Sequence, residues 1–183
     1  VERIPFDAAV IATGSRPFFP PPFDVLTDSI LDSDRILGME TVPQSLVVVG
    51  GGAVGLEFAC LFQALGSNVS VIEKKPQILP GEEASVSRLL QKSFEKRGMT
   101  IFTDRTVAKA EKNMDGWRLT LSGGETLSSE QVLVCVGRAP GTADLGLEDA
   151  GVIVDGGRVA VNPYLQTARS HIYAVGDVNG LSL

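Results

Sequence analysis

Short hydrophobic runs, each ended by glycine or proline, recur along the chain and predict a series of buried strands. The first run extends from Phe6 to Ala12 and stops at Thr13-Gly14, where a strand would meet a turn. Four prolines lie within residues 16–23. Because proline lacks the backbone donor that regular structure needs, this stretch is predicted to be an irregular connector.

The most regular pattern occupies residues 46–73, with the sequence LVVVGGGAVGLEFACLFQALGSNVSVIE. A β-branched strand leads into three glycines, a helix-like stretch follows, and a second strand ends in a carboxylate. Apolar residues then recur at helical spacing between residues 82 and 97, and residues 99–104 predict a third strand. This alternation of strands and helices predicts an α/β fold with a parallel sheet.

The pattern changes after residue 105. Short strand-like runs from Thr106 to Ser128 are separated by turn signals at Asp115-Gly116 and Gly123-Gly124, which predict an antiparallel meander. Residues 131–137 predict one more buried strand, and the strand-like runs after it are shorter. The sequence therefore predicts a βαβαβ unit with a meander, and flanks that belong to a different domain.

Composition narrows the possible partners. The chain has 183 residues, 44% of them hydrophobic, and a net charge of −6 without any basic block, which argues against nucleic acid and anionic membranes as partners. No apolar stretch approaches the ~20 residues of a membrane span, and the N-terminal residues do not resemble a signal peptide. Two distant cysteines favour a reducing, cytoplasmic compartment. A start at valine and a stop soon after a strand-like run suggest a piece of a longer protein.

The three glycines begin a G-x-G-x-x-G pattern between a strand and a helix, which is typical of a Rossmann-like dinucleotide-binding turn. The first glycine would allow the tight turn, the second would leave the backbone open to a pyrophosphate, and the third would let the helix pack closely. The helix N-terminus would offer unpaired N–H groups and a positive dipole end to the phosphates. The predicted ligand residues of this turn are Gly50, Gly52, Ala53, Val54 and Gly55.

A carboxylate closes the pattern. Glu73 ends the second strand about 20 residues beyond the glycines, where it could accept hydrogen bonds from both hydroxyls of the adenosine ribose. The same charge would repel a 2′-phosphate and so favours NAD over NADP, although Lys74 beside it weakens this preference. The alternative interpretation is an ordinary strand–helix turn with a surface glutamate.

Four motifs occur in a fixed order and together resemble the family of FAD- and NAD(P)-dependent pyridine nucleotide–disulfide oxidoreductases. The motifs are VIATGSRP (Val10–Pro17), VVVGGGAVGLE (Val47–Glu57), LVCVGRAPGT (Leu133–Thr142) and IYAVGDV (Ile172–Val178). In such proteins the NAD domain is inserted into the FAD domain. The resemblance therefore implies an NAD-binding domain at residues 41–143, with partial FAD-domain segments at 1–40 and 144–183.

The resemblance also implies further cofactor contacts. Asp177 would hold a ribityl hydroxyl of FAD, and Glu57 would lie beside the nicotinamide. The alternative interpretation of Glu57 is an acid that is favoured by the helix dipole alone. The other motif positions are Thr13 and Gly14 at the end of the first FAD segment, Gly137 and Arg138 at the end of the NAD-domain strand, and Gly176 in the second FAD contact.

Within this family the chain most resembles the dihydrolipoamide dehydrogenase branch, particularly in LGSNVSVIEKKPQILP and LQKSFEKRGM. That branch implies hydride transfer between nicotinamide and flavin, electron exchange with a disulfide, and a homodimer in the full-length protein. Glutathione reductases carry an aromatic gate where this chain has Ala53, and arginines for the 2′-phosphate where it has Glu73 and Leu79, so that branch is disfavoured. A soluble transhydrogenase, an NADH oxidase and a non-catalytic NAD-sensing module remain alternatives.

The redox-active part of the family has no match in this chain. Its C-x4-C pair and its C-terminal histidine–glutamate dyad are both missing, so no catalytic residue is predicted, and the chain alone is expected to be inactive. No metal site is predicted. Cys60 and Cys135 are interpreted as small core residues, and His171 as structural.

Overall fold

The computed structural model describes residues 3–181. Its helices are α1 (Ala53–Ala64) and α2 (Ala84–Lys96), and two short 3-10 turns span Ile36–Gly38 and Gly176–Asn179. Its strands are, in chain order, β1 (Ala9–Ile11), β2 (Ser15–Pro17), β3 (Ser45–Val49), β4 (Asn68–Ile72), β5 (Thr100–Phe102), β6 (Val107–Asn113), β7 (Gly116–Leu121), β8 (Thr126–Ser129), β9 (Gln131–Val134), β10 (Arg138–Pro140), β11 (Val154–Asp155), β12 (Arg158–Val159) and β13 (Ile172–Ala174).

A four-stranded parallel sheet, in the order β5-β4-β3-β9, lies at the centre of the unit Phe18–Val136. Three of its strands, β3, β4 and β9, are rich in valine, whose branched side chain packs well on a pleated surface. In chain order these strands are the third, second, first and fourth of the sheet, as in half of a doubly wound dinucleotide-binding fold. The predicted parallel sheet with helices is confirmed.

Both faces of this sheet are buried, and strand β3 shows how. Leu46 and Val48 lie in a hydrophobic core with α1 and α2, while Val47 and Val49 lie in a second core with the meander. All four side chains are at most 7% exposed. Because side chains alternate between the faces of a strand, an uninterrupted apolar run is what a sheet covered on both sides requires.

The meander forms as predicted from β6, β7 and β8, which pair antiparallel in that order. Gly116 has a φ of 127°, and its position allows β7 to pass close to the carbonyl of Ser129. Trp117 is buried in the core between the meander and the sheet, and the ammonium of Lys112 lies 5.5 Å from the centre of its ring. The meander therefore covers the sheet face opposite the helices.

Residues 3–17 and 137–181 form the other unit. Strand β1 pairs in parallel with β13, β2 pairs antiparallel with β10, and β11 and β12 form a hairpin. A small core is built on this framework from Leu147, Val152, Val159, Ile172, Ala174 and Val178. The predicted strand over residues 6–12 is shorter than expected, and Val10 is 61% exposed because β1 belongs to a sheet of only two strands among the described residues.

The limits of the two units differ from the predicted domain boundaries. Residues 18–40 were predicted to precede the inserted domain, but Phe23 and Ile30 are buried in the core of the Phe18–Val136 unit. Residues 137–143 were predicted to end that domain, but β10 pairs with β2 in the other unit. Residues 16–23 were predicted to be an irregular connector, but Arg16 and Pro17 lie in β2, and only residues 18–23 lack regular structure. Aromatic and apolar side chains that follow, such as Phe19 and Phe23, nevertheless pack on the sheet.

Candidate functional site

The glycine-rich turn lies at the carboxyl end of β3, the strand whose neighbours on either side are β4 and β9. In open α/β sheets, ligands bind at such a reversal of strand order, outside the carboxyl ends of the strands. The amide of Gly50 donates to the carbonyl of Ile72 over 2.8 Å, which anchors the start of the turn to β4. The topology therefore places the turn where a ligand would be expected.

Two glycines of the turn are required by the fold itself. Gly50 has a φ of 113°, and a Cβ there would lie 2.2 Å from the carbonyl oxygen of Cys135. A Cβ at Gly55 would lie 2.0 Å from the carbonyl oxygen of Gly50. Real Cβ atoms do not come this close to backbone, so larger residues would push the turn and α1 apart. The close packing predicted for the third glycine is thus observed.

Gly52 is different. Its φ of −78° suits any residue, and a Cβ there would meet no heavy atom within 4 Å. It precedes α1 without any side-chain cap, and among the described residues no hydrogen bond is recorded for the amides of residues 52–55. Ala53 and Val54 are both exposed. The arrangement leaves four amides, a helix dipole and free space on one side of the turn, which together can hold a phosphate group.

Glu73 is only 7% exposed, and both of its carboxylate oxygens accept backbone hydrogen bonds. Oε2 accepts from the amide of Gly51 over 2.7 Å, and Oε1 accepts from the amide of Lys75 over 2.7 Å. The side chain therefore ties the glycine turn to the end of β4, a role that sequence reasoning missed. Each oxygen keeps one lone pair, so the carboxylate can still accept a ribose hydroxyl.

The loop after Glu73 supports the turn from another side. The amide of Leu79 donates to the carbonyl of Gly51 over 2.7 Å, and Ile78 is fully buried beside it. Ser87 of α2 is also fully buried, and its hydroxyl donates to the carbonyl of Ile78 over 2.6 Å. Sequence reasoning missed Ser87, although it precedes the apolar Leu90 by three positions and so lies on the inward face of the helix.

Two other predicted residues of this unit lie on the surface. Glu57 is exposed in the second turn of α1, and the described part of the chain offers it no recorded hydrogen bond or ion pair. Lys74 is exposed directly after Glu73. Both side chains are therefore accessible to a ligand, and neither contributes a recorded contact to the turn.

The predicted residues of the other unit gather around β2 and β10. The hydroxyl of Thr13 donates to the carbonyl of Gly141 over 2.6 Å, and the carbonyl of Gly14 accepts from the amide of Gly141 over 2.8 Å. Gly14 and Gly176 have φ values of 64° and 77°, with no heavy atom within 4 Å of a Cβ at either position. These two turns leave their backbones open.

Arg138 and Asp177 are joined through Ser15, a residue that sequence reasoning did not single out. The Ser15 hydroxyl donates to Oδ2 of Asp177 over 2.5 Å. Nε of Arg138 donates to the same hydroxyl oxygen over 2.7 Å, and Nη2 donates to the carbonyl of Ser15 over 2.9 Å. Gly137 and Arg138 were predicted to end the NAD-domain strand, but that strand ends at Val134, and both residues lie in the unit that contains Asp177.

The cysteines are free, half-buried and packed against the helix-side core. Burial raises the pKa of the Cys135 thiol to about 12, and the nearby carboxylate of Asp32 adds to this rise. A thiol with so high a pKa is not a nucleophile near neutral pH, because the thiolate is the reactive form. Cys135 thus fits the interpretation as a core residue.

No helix within residues 3–181 combines the length and the hydrophobicity that a membrane span requires. In the same residues, no group of three or more histidine, cysteine, aspartate or glutamate side chains is arranged to hold a metal ion.

A family model and the sequences of curated proteins match this chain over most of its length. The family model described as "Pyridine nucleotide-disulphide oxidoreductase" matches residues 1–182. The chain is 42% identical over 180 residues to a dihydrolipoyl dehydrogenase from Thermus scotoductus, covering 92% of this chain and 38% of the relative. It is 38% identical over 176 residues to that of Bacillus subtilis, covering 93% of this chain and 37% of the relative. The chain thus spans less than half the length of these curated relatives.

Two solved structures superimpose closely on this chain. A HOCl-induced flavoprotein disulfide reductase from Escherichia coli, RclA, superimposes with a TM-score of 0.89 at 29% identity, covering 97% of this chain and 41% of its own. LpdA from Mycobacterium tuberculosis superimposes with a TM-score of 0.87 at 31% identity, covering 96% of this chain and 39% of its own.

Proposed function

Since the chain belongs to the pyridine nucleotide-disulphide oxidoreductase family, we propose that it forms the NAD(H)-binding region of an FAD-dependent disulfide oxidoreductase. Relatives named dihydrolipoyl dehydrogenase support dihydrolipoamide as the dithiol substrate of the whole protein. The observation that carries the proposal is the glycine turn, whose free amides and open space lie beside the carboxylate of Glu73.

The residues of this turn fit a dinucleotide. The pyrophosphate would lie on the amides of residues 52–55, where the dipole of α1 stabilises negative charge. Gly52 leaves this approach open, and Val54 is exposed at the first turn of the helix. Glu57, one turn further along α1, is exposed and can orient the carboxamide of the nicotinamide.

Glu73 would bind the adenosine ribose of the dinucleotide and discriminate NAD from NADP there. Its carboxylate is fixed by two backbone amides, so its free lone pairs already point in defined directions before ligand binds. Such a preorganised acceptor binds the 2′- and 3′-hydroxyls of NAD and repels the 2′-phosphate of NADP. Lys74 lies on the surface beside it and moderates this repulsion.

The residues around β2 and β10 fit part of a flavin site. Asp177 is half-buried and presents a carboxylate, and Gly14 and Gly176 leave their backbones open for close approach. Thr13 holds the turn at Gly14 by its hydrogen bond to Gly141. We assign these residues to FAD, with Asp177 as the acceptor for a ribityl hydroxyl.

When both cofactors are bound, they supply the redox chemistry, in which a hydride passes between the nicotinamide and the flavin. The chain itself binds and orients them, and the disulfide belongs to the whole protein. A homodimer, as the family resemblance implies, and a reducing cytoplasmic location, which the two free cysteines suit, complete the proposal.

Titration of NADH and NADPH into the chain and its Glu73 variants tests the proposal. Glu73→Ala removes the ribose acceptor and releases the Gly51 amide, so the dissociation constant for NADH should rise by roughly tenfold or more. Glu73→Arg should shift the preference from NADH towards NADPH, because a cation replaces the repelling carboxylate. Fluorescence of the bound reduced nicotinamide measures both constants.

Glu40→Ala is the matched control, since Glu40 is an exposed glutamate of the same unit. It should leave both constants unchanged. An NADH affinity that is the same in Glu73→Ala as in the parent would remove the dinucleotide from this turn and refute the proposed function.

A further inference from the structure

We propose that Ser15 is a positioning residue that orients the carboxylate of Asp177 for the ribityl chain of FAD, with Arg138 fixing the direction of the Ser15 hydroxyl. This inference rests on the proposed function, because it takes Asp177 as a flavin contact. It adds a residue to which neither the motifs nor the proposed site assigns a role.

Three separate segments bring these side chains together. Strands β2 and β10 pair antiparallel, with Pro140 opposite Ser15, which places Arg138 two residues from the serine's partner. Asp177 lies in the 3-10 turn that follows β13. Ser15 is 123 residues from Arg138 and 162 from Asp177 in sequence, so tertiary structure alone creates the contacts.

The chemistry of the three groups fixes the direction of each hydrogen bond. A guanidinium can only donate, and an ionised carboxylate can only accept. The Ser15 oxygen accepts from Nε of Arg138 over 2.7 Å, so its single proton is free to point at Oδ2 of Asp177, 2.5 Å away. That O–H···O⁻ distance is at the short end of charge-assisted hydrogen bonds.

Arg138 also fixes the backbone of Ser15. Its Nη2 donates to the Ser15 carbonyl over 2.9 Å, so two nitrogens of one planar guanidinium hold the same residue. A planar fork of this kind restricts the orientation of its partner more than a single bond would. The hydroxyl of Ser15 is therefore held in place before a ligand arrives.

The consequence concerns the free oxygen of Asp177. Oδ2 is occupied by Ser15, and no hydrogen bond to Oδ1 is recorded from residues 3–181. Fixing one carboxylate oxygen fixes the plane of the group and so the direction in which Oδ1 accepts. A ribityl hydroxyl then meets an acceptor whose rotamer entropy has already been lost, which strengthens binding.

The test measures FAD affinity in the full-length flavoprotein that contains this chain, after removal of its FAD. Quenching of flavin fluorescence on titration with FAD gives the dissociation constant of each apoprotein. Ser15→Ala should raise this constant on the order of tenfold, as expected for loss of a hydrogen bond to a charged group. Ser15→Thr keeps the hydroxyl and should restore the parental constant.

A double-mutant comparison shows whether Ser15 acts through Asp177. In an Asp177→Ala background, Ser15→Ala should add less than about twofold, because the group that it positions is gone. Ser170→Ala is the matched control: Ser170 is an exposed serine of the same unit whose hydroxyl makes no recorded hydrogen bond within the described chain. It should leave the constant unchanged.

The outcomes are distinct. A parental FAD constant in Asp177→Ala would show that Asp177 does not bind FAD, which refutes the flavin contact of the proposed function and this inference with it. If Asp177→Ala weakens FAD binding, an unchanged constant in Ser15→Ala overturns the role of Ser15 alone. The same holds if Ser15→Ala has equal effects in both backgrounds, or if Ser15→Thr fails as Ser15→Ala does.

Discussion

Substitution of Gly52 by alanine should separate ligand binding from folding. Nothing in the fold requires a glycine here, because φ is −78° and a Cβ would meet no heavy atom within 4 Å. The open space lies over the free amides at the start of α1, where the proposed pyrophosphate would approach. A methyl group at this position should therefore obstruct the ligand and leave the protein folded.

The expected magnitudes follow from the position of Gly52 before the helix. Glycine is a better N-cap than alanine by up to about 1 kcal/mol, whereas alanine loses less backbone entropy on folding, by about 0.4–1 kcal/mol. These effects nearly cancel, so the free energy of unfolding should change by less than ~1 kcal/mol. Loss of one or two hydrogen bonds to a phosphate, at about 1.5–3 kcal/mol each, should raise the NADH dissociation constant at least roughly tenfold.

The assay combines NADH titration with urea denaturation of the same variants. Gly38→Ala is the matched control, since its Cβ would also meet open space at an ordinary φ, in an exposed part of the same unit. Gly55→Ala is the contrasting case, because its Cβ would clash with the backbone of Gly50 and should lower the free energy of unfolding by about 1–3 kcal/mol or more. Parental NADH affinity in folded Gly52→Ala would refute the reasoning.

Two further predictions concern the support of the turn and the buried thiol. Ser87→Ala should lower the free energy of unfolding by about 1–2 kcal/mol in urea denaturation, because the carbonyl of Ile78 loses a buried hydrogen bond. Ser85→Ala is the control: Ser85 is exposed at the start of the same helix, and its substitution should not lower the free energy of unfolding by this amount. The folded protein keeps the Cys135 proton up to about pH 12, whereas the unfolded chain loses it near its usual pKa of about 8.5, so stability should fall as pH rises between these values. Denaturation curves at about pH 8 and about pH 10 should show a smaller loss of unfolding free energy in Cys135→Ala than in the parent, because the variant lacks the thiol. An identical pH dependence in the parent and in Cys135→Ala would contradict the raised pKa of Cys135.

Much of the Phe18–Val136 unit could be predicted from sequence because local signals agree there. The β-branched run of β3, the glycines and the apolar stretch of α1 each favour the structure that forms. The antiparallel meander was equally clear, since glycines mark both of its turns. Where neighbouring signals point to one structure, tertiary context has little to override.

Side-chain direction was harder to predict. In α2, Leu89 fits the helical apolar spacing between residues 82 and 97, yet its side chain is 73% exposed, whereas Ser87 is fully buried. The polar residue turns inward because the carbonyl of Ile78 offers a hydrogen-bond acceptor, which depends on how the preceding loop folds. Hydrophobic period alone carries no information about such an acceptor.

The contacts that complete the candidate sites depend on long-range pairing. The hydrogen bond from the Gly51 amide to Glu73 was not predicted, because the sequence places Glu73 near the turn but does not show which backbone amides its carboxylate accepts from. Ser15 lies within the first motif, but its role could not be predicted there, because its partners Arg138 and Asp177 come from segments far away in sequence. The limits of the two units differ from the predicted domain boundaries for the same reason: β2 and β10 are neighbours only after folding.

The most direct test of the central claim is the change in backbone amide NMR shifts when NADH is added to the ¹⁵N-labelled chain. If the pyrophosphate lies on the start of α1, the amides of Gly52, Ala53, Val54 and Gly55 should show the largest saturable shifts, since in the free protein they have no recorded partner within the described chain. Saturable binding that leaves these four amides unshifted would contradict the account.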